Sequence, residues 1–144
     1  MPAENKANLI FDTNVLVSGF FFKGSVVRQA VTTGFRHHNV VFSTQTWDEL
    51  THVFQRDFLE KILPLAQRLR LLSEIASRIT VVDSKSIVVD CNDAKDNKFL
   101  SLALDGGAEI IVTGDNDFLR MHPWREVKVL TVHQFLEAHG VEGN

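Results

Sequence analysis

Short runs of apolar residues alternate along this chain with segments in which apolar residues recur every three or four positions. An uninterrupted apolar run is typical of a strand that is covered on both faces. The alternation, with no hairpin signal of the Asn-Gly type between the runs, predicts an α/β fold with three α/β/α layers and a parallel sheet of about five strands. The predicted strands cover residues 9–11, 39–43, 79–82, 110–112 and 127–130.

Helix boundaries follow from the residues that flank the periodic segments. Ser25 is a suitable start for a helix that ends at Gly34, and Ser43 or Thr44 for the next. Thr131 and Gln134 have the spacing of a capping box for the last helix, which ends at His139-Gly140. The inner faces of two other predicted helices consist of Trp47, Leu50, Val53 and Phe54, and of Phe99, Leu100, Ala103 and Leu104, the latter stopped by Gly106-Gly107.

The segment from Arg56 to Arg78 is predicted to form a helical hairpin beside the sheet, with Pro64 between its two helices. The residues expected to share one apolar, core-facing stripe are Leu65, Leu69, Leu72 and Ile75. The charged residues, expected on a solvated face or along a phosphate path, are Arg68, Arg70, Glu74 and Arg78. Trp47 and Trp124 are expected to pack in the core, with stacking on bases as the alternative.

Composition narrows the class of protein. A chain of 144 residues with 44% hydrophobic content suits one domain spanning 1–144, with a core at about 8–138. The net charge of -3 means that a nucleic-acid partner would need a local basic patch. A single cysteine, Cys91, excludes an internal disulfide and a cysteine zinc cluster. With neither a signal peptide nor a membrane-span pattern, we expect a soluble cytoplasmic protein.

Acidic residues collect where predicted strands end or the following helices begin. Each one alone could be a turn or capping residue. Right-handed crossovers, however, bring all carboxyl ends of a parallel sheet to one edge, and carboxylates gathered there repel one another unless cations neutralise them. The residues placed at this edge are Asp12, Glu49, Asp96, Asp115 and Asp117.

The ligand type indicates which cation would bind. All candidate ligands are hard oxygens, and the histidine pair His37-His38 lies in a loop away from the expected site. We therefore expect Mg²⁺ or Mn²⁺ rather than Zn²⁺. Such ions take their remaining ligands from substrate phosphate, so the predicted reaction is metal-assisted hydrolysis of a phosphoester.

Four blocks of sequence resemble the PIN domain family, in the branch of toxin components of toxin–antitoxin systems similar to VapC-type toxins. The resemblance extends from Leu9 to Leu136. It implies a Mg²⁺- or Mn²⁺-dependent ribonuclease that leaves a 5′-phosphate, an antitoxin protein whose helix blocks the site, and a homodimer. The matching blocks are Asp12–Gly19, Glu49, Asp93–Leu100 and Val112–Leu119.

The resemblance also implies roles for individual residues. Asp12, Asp96 and Asp115 would be metal ligands, Glu49 a second acid that binds metal directly or through water, and Asp117 an accessory acid. The supporting residues would be Asn14, which orients Asp12, Asn97 beside Asp96, and Thr113, whose hydroxyl would hold Asp12 or a water. Asp93 fits the pattern but suits a helix N-cap equally well, and we leave it out of the metal set. Cys91-Asn92 and Ala94 depart from the branch, which often has proline there.

Two other classes of protein remain as alternatives. A phosphatase of the haloacid dehalogenase type also begins with an aspartate at a strand end, but it needs a second aspartate two residues later, where this chain has Asn14. A non-catalytic module that binds RNA or protein would keep the basic helical region and lose one or more of the acids. All of the acids are present here.

Overall fold

A five-stranded sheet lies at the centre of the computed structural model, which describes residues 6–22 and 24–140. All neighbouring strands are parallel, and their order is β3-β2-β1-β4-β5. The predicted parallel α/β architecture is therefore confirmed. The strands are β1 (Asn8–Phe11), β2 (Asn39–Phe42), β3 (Thr80–Val81), β4 (Ile110–Val112) and β5 (Lys128–Leu130).

Helices cover both faces of this sheet. They are α1 (Thr13–Phe21), α2 (Ser25–His37), α3 (Thr44–Phe54), α4 (Leu65–Ala76), α5 (Asn97–Gly106), α6 (Asn116–Leu119) and α7 (Val132–His139). Alternate strand residues point to opposite faces. Leu9 and Phe11 thus join one buried cluster with α1 to α4 and α7, while Ile10 joins a second with α5 and α6. No helix among the described residues is long and apolar enough to cross a membrane.

Two helix boundaries differ from the sequence prediction. Helix α1 directly follows β1, where the sequence pattern indicated only a strand end, and Asp12 caps it. Helix α2 continues through Gly34 to His37, so the predicted stop at Gly34 is wrong. A Cβ at Gly34 would lie 2.5 Å from the ring of Phe11, so the glycine allows close approach of helix and sheet.

The predicted helical hairpin between Arg56 and Arg78 is also wrong. Residues Asp57–Leu59 form a single turn of 3-10 helix, and only α4 follows it. Leu65 and Leu69 are exposed rather than in the core, whereas the predicted surface residue Arg68 is almost completely buried. The apolar spacing misplaced this face because the buried guanidinium of Arg68 finds carbonyl partners that a sequence pattern does not reveal.

Both tryptophans pack as expected. The ring of Trp47 meets Phe42 edge to face, with 5.4 Å between ring centres. Trp124 is buried and its indole N–H donates to Asp90 Oδ2 at 2.9 Å. The buried Trp124 is therefore not free to stack on bases, and the half-buried Trp47 packs against the core.

Candidate active site

The ends of the neighbouring strands β1 and β4 build the centre of the site. Asp12 follows β1, and its Oδ1 accepts from the backbone N–H of Asn14 at 3.4 Å, which caps α1. Thr113 follows β4, is fully buried, and donates its hydroxyl to Asp12 Oδ2 at 2.7 Å. The same hydroxyl accepts from the backbone N–H of Asp115 at 3.1 Å. Thr113 thus fixes the positions of Asp12 and Asp115 relative to each other. The expected contact between Thr113 and Asp12 is present.

A turn of 3-10 helix before α5 presents two further acids. Asp93 caps this turn, which spans Ala94–Asp96, and accepts from the backbone N–H of Lys95 at 3.2 Å. In a 3-10 helix, side chains three residues apart lie on the same side. One carboxylate oxygen each from Asp93, Asp96 and Asp115 consequently lie within 4.8 Å of one another.

Asp96 is the least satisfied side chain of the site. It is 7% exposed, and its Oδ2 is buried without a hydrogen-bond partner among the described residues. Burial raises the pKa of Asp96 to about 7, and the negative charges of Asp12 and Asp115 add to this effect. The carboxylates at this centre therefore repel one another, and the charged form of Asp96 is disfavoured.

Asp12 shows the same imbalance in weaker form. Burial raises the pKa of Asp12, while the hydrogen bonds from Thr113 and from the backbone of Asn14 oppose the shift. The charges of Glu49 and Asp115 raise this pKa further. Asp12, Glu49, Asp96 and Asp115 thus influence one another electrostatically, and the structure brings them to one edge of the sheet.

Glu49 differs from the aspartates because the chain already occupies both of its oxygens. Oε1 accepts from the hydroxyl of Thr13, and Oε2 lies 2.9 Å from the ammonium nitrogen of Lys98. Helix α3 supplies Glu49 in its second turn, and α5 supplies Lys98 in its first. The pair joins these two helices beside Asp12.

The other predicted residues lie near the site but contact different groups. Asp117 pairs with Arg120 at 2.7 Å, and its backbone N–H donates to Asp115 Oδ1 at 2.9 Å. Asn97 accepts from the backbone N–H of Cys91 at 2.8 Å and so supports the loop before Asp96. Asn14 contacts Asp12 through its backbone, as described above.

A cleft of about 470 Å³ adjoins the acids on the side of α1. Its walls combine apolar side chains, among them Val15, Val27 and Val132, with polar ones. The polar lining residues are Asp12, Asn14, Ser18, Thr113, Asp115 and Thr131.

The donor set fits a hard divalent cation. It consists of carboxylate oxygens, one of them buried and without a partner, in a cluster that is short of positive charge. His38 is not available, since it is buried near the opposite edge, where its Nδ1 accepts from the backbone N–H of Ala7 at 3.0 Å. The site therefore offers oxygen ligands and no histidine within the described part of the chain.

Sequence reasoning missed two residues that the structure places here. The sequence predicts Asp93 as an N-cap, and it does cap the 3-10 turn, but its carboxylate also lies close to those of Asp96 and Asp115. The sequence pattern does not indicate that Lys98 pairs with an acid of the site, because its partner Glu49 is 49 residues away along the chain. The spacing of Asp93 and Asp96 was the one usable clue, since it places both on one side of a turn.

Comparisons with known proteins agree with this architecture. A family model described as the PIN domain matches residues 8–117. A chain of VapBC2 from Rickettsia felis, crystallised with a DNA fragment from the promoter, is 15% identical with a TM-score of 0.60, over 86% of this chain and 98% of that one.

Two further solved structures share the fold. A chain of DNA-bound VapBC from Salmonella typhimurium is 16% identical with a TM-score of 0.58, over 88% of this chain and 98% of that one. PAE2754 from Pyrobaculum aerophilum is 14% identical with a TM-score of 0.59, over 92% of this chain and 88% of that one. No curated protein matches the sequence.

Proposed function

The chain belongs to the PIN domain family, and from this premise and the acidic edge we propose that it is a Mg²⁺- or Mn²⁺-dependent ribonuclease. The observation that carries the proposal is the buried Oδ2 of Asp96, which has no partner among the described residues and lies in a cluster of like charges. Such an arrangement is costly for folding and is explained by a cation ligand.

In this proposal Asp12, Asp96 and Asp115 would hold the ion, with Asp93 next to them. The chemistry supplied by a divalent ion held there would be activation of a water molecule and stabilisation of the leaving oxygen of a phosphodiester. Thr113 keeps Asp12 and Asp115 oriented, so that the ligands do not have to reorganise. Asp117, exposed and paired with Arg120, has an accessory place in the same loop.

The cleft beside Asp12 would receive a nucleotide next to the scissile phosphate. Apolar side chains from α1, α2 and α7 line this cleft, and the hydroxyls of Ser18 and Thr131 offer polar contacts. Asn14 lines the same cleft at the place where a phosphatase of the haloacid dehalogenase type requires an aspartate. That alternative class would form a covalent aspartyl-phosphate, which the proposed hydrolysis does not.

We include partners in the same proposal. The chain is similar in fold to proteins of two VapBC complexes, which favours a toxin component held inactive by an antitoxin protein. The homodimer that the sequence resemblance implies is part of the same proposal. An antitoxin segment that covers the acidic edge would abolish the cleavage measured below.

The direct test is cleavage of single-stranded RNA in Mn²⁺ by the wild type, Asp12→Asn and Asp96→Asn. Each substitution removes a ligand charge, and we expect activity to fall by roughly a hundredfold or more. Asp105→Asn is the matched control. Asp105 is an exposed aspartate on α5, away from the acidic edge, and it accepts hydrogen bonds from the hydroxyls of Ser84 and Ser86. DNA of the same sequence tests the preference for RNA.

Several outcomes would contradict the proposal. Equal activity of wild type and Asp12→Asn would show that Asp12 takes no part in the reaction. Cleavage that persists in excess chelator would show that the reaction does not need a divalent ion. RNA binding without turnover under any divalent ion would instead favour the non-catalytic module.

A further inference from the structure

Lys98 is a basic residue within the acidic edge. Its ammonium nitrogen lies 2.9 Å from Glu49 Oε2, donates to the backbone carbonyl of Lys95, and lies 5.1 Å from the centre of the Phe99 ring. The Lys98 side chain is 23% exposed. These contacts place a nearly fixed positive charge beside Glu49 that still reaches solvent.

The contacts leave part of the ammonium unused. A lysine ammonium has three N–H donors. The Lys95 carbonyl accepts one of them, Glu49 Oε2 is the ion-pair partner at 2.9 Å, and no other acceptor contacts this ammonium among the residues that the structure describes. The remaining donor is available to a ligand.

Glu49 fits the task of holding this ammonium. Its two oxygens bind Thr13 and Lys98, so its charge is balanced inside the chain, whereas the charge of Asp96 is not. Thr13 directly follows Asp12 and therefore sets the position of Glu49 relative to the proposed metal ligand.

The substrate gives this free donor a purpose. RNA has one negative charge per nucleotide, and an edge made of carboxylates repels it. A chain with a net charge of -3 needs a local cation to hold the strand there, and lysine commonly binds phosphate as a point charge.

We propose that Lys98 binds a phosphate oxygen of the RNA strand next to the acidic centre, and that Glu49, oriented by Thr13, is a positioning residue that holds the Lys98 ammonium. This inference rests on the proposed ribonuclease function and assigns a substrate contact to it. Glu49 then acts through Lys98 rather than as a direct metal ligand.

Binding of a labelled single-stranded RNA, measured by fluorescence anisotropy with Ca²⁺ in place of Mn²⁺ over a series of salt concentrations, tests the contact. We expect Lys98→Met to weaken binding roughly tenfold and to reduce the slope of log K against log salt by about 0.7, the value for one phosphate contact to a single strand. Lys98→Arg should retain most of the affinity, because it keeps the charge. Lys85→Met is the control, since Lys85 is also paired with an aspartate but is 84% exposed.

Glu49→Gln distinguishes positioning from ligation. We expect it to weaken RNA binding, and the double variant with Lys98→Met to bind no more weakly than the worse single variant, because both act on one contact. Calorimetry should give only a modest change in Mn²⁺ affinity for Glu49→Gln and Lys98→Met, weaker in the first and tighter in the second, because each removes a charge near the site without removing a ligand. A loss of Mn²⁺ affinity in Glu49→Gln as large as that in Asp96→Asn would overturn the assignment.

The failure of this inference can be separated from failure of the proposed function. If the wild type cleaves RNA and Lys98→Met binds RNA with unchanged affinity and salt dependence, Lys98 is not a phosphate contact although the nuclease stands. If binding depends on Lys98 but no divalent ion supports cleavage, the contact stands and the ribonuclease proposal fails.

Discussion

Arg68 and Asp96 are both buried charged side chains, and they differ in how far the fold satisfies them. Arg68 is 2% exposed and donates to the carbonyls of Leu63, Phe54 and Arg56 and to Glu60 Oε1, at 2.8, 2.8, 3.2 and 2.5 Å. Asp96 has an oxygen with no partner among the described residues and is surrounded by other acids.

The difference indicates what each charge is for. Arg68 ties the end of α3, the 3-10 turn after it and the start of α4 into one unit, and each of its three guanidinium nitrogens donates at least one hydrogen bond within the chain. A buried carboxylate that lacks a partner and has its pKa raised by neighbouring carboxylates is typical of a binding site. Burial of a charge is therefore a signal of function only when its partners are incomplete.

The largest expected effect comes from removing the satisfied charge. Arg68→Met keeps the aliphatic volume but leaves three backbone carbonyls without their donor, so we expect the free energy of unfolding to fall by about 3–4 kcal/mol. Chemical denaturation measures this. Arg70→Met, on the exposed side of the same helix, should change stability by less than about 0.5 kcal/mol. Similar stability of both variants would mean that the carbonyls find other donors.

The opposite sign is expected for the unsatisfied charge. The pKa of Asp96 is about 7 in the folded chain and close to 4 when unfolded, so the folded state binds more protons between these values. Stability of the metal-free protein should therefore fall as pH rises from about 4 to about 7. Asp96→Asn removes this loss, and we expect it to stabilise the metal-free protein at pH 8 by about 1–3 kcal/mol.

Thermal unfolding at pH 5 and pH 8 in chelator measures the effect, with Asp105→Asn as control. Hydrogen bonds from Ser86 and Ser84 lower the pKa of Asp105, so the stability that ionised Asp105 contributes to the fold is present at neutral pH and is lost as pH falls. At pH 8, Asp105→Asn should therefore lower the melting temperature, whereas Asp96→Asn should raise it. If Asp96→Asn destabilises the metal-free protein at pH 8, Asp96 does not experience the repulsion described here.

The same two residues show what a sequence can and cannot predict. The strands and the edge that gathers Asp12, Asp96 and Asp115 could be predicted, because a continuous apolar run and a parallel sheet leave few arrangements. The sequence predicts Arg68 on the surface, but three of its partners are backbone carbonyls, and every residue has one. The amino-acid sequence therefore does not indicate which carbonyls would accept from a buried arginine.

Side-chain pairing across helices is the other part that a pattern does not contain. The sequence placed Glu49 at the correct edge, but its contacts with Thr13 and Lys98 depend on how α1, α3 and α5 pack. Gly34 is a similar case: a glycine predicts a helix end by local preference, yet here the ring of Phe11 requires the missing side chain. Tertiary contact overrides the local signal in each case.

The smallest expected effect concerns the partner of Arg68. The Glu60 side chain is 59% exposed, and an ion pair with one exposed member contributes little, so Glu60→Gln should lower the free energy of unfolding by less than about 1 kcal/mol. Chemical denaturation beside Arg68→Met measures the ratio of the two effects. A loss as large as that of Arg68→Met would show that the carboxylate of Glu60, rather than the three carbonyls, makes the buried guanidinium stable. Arg68 would then resemble Asp96 more closely, as a charge whose burial depends on one opposite charge supplied from outside the core.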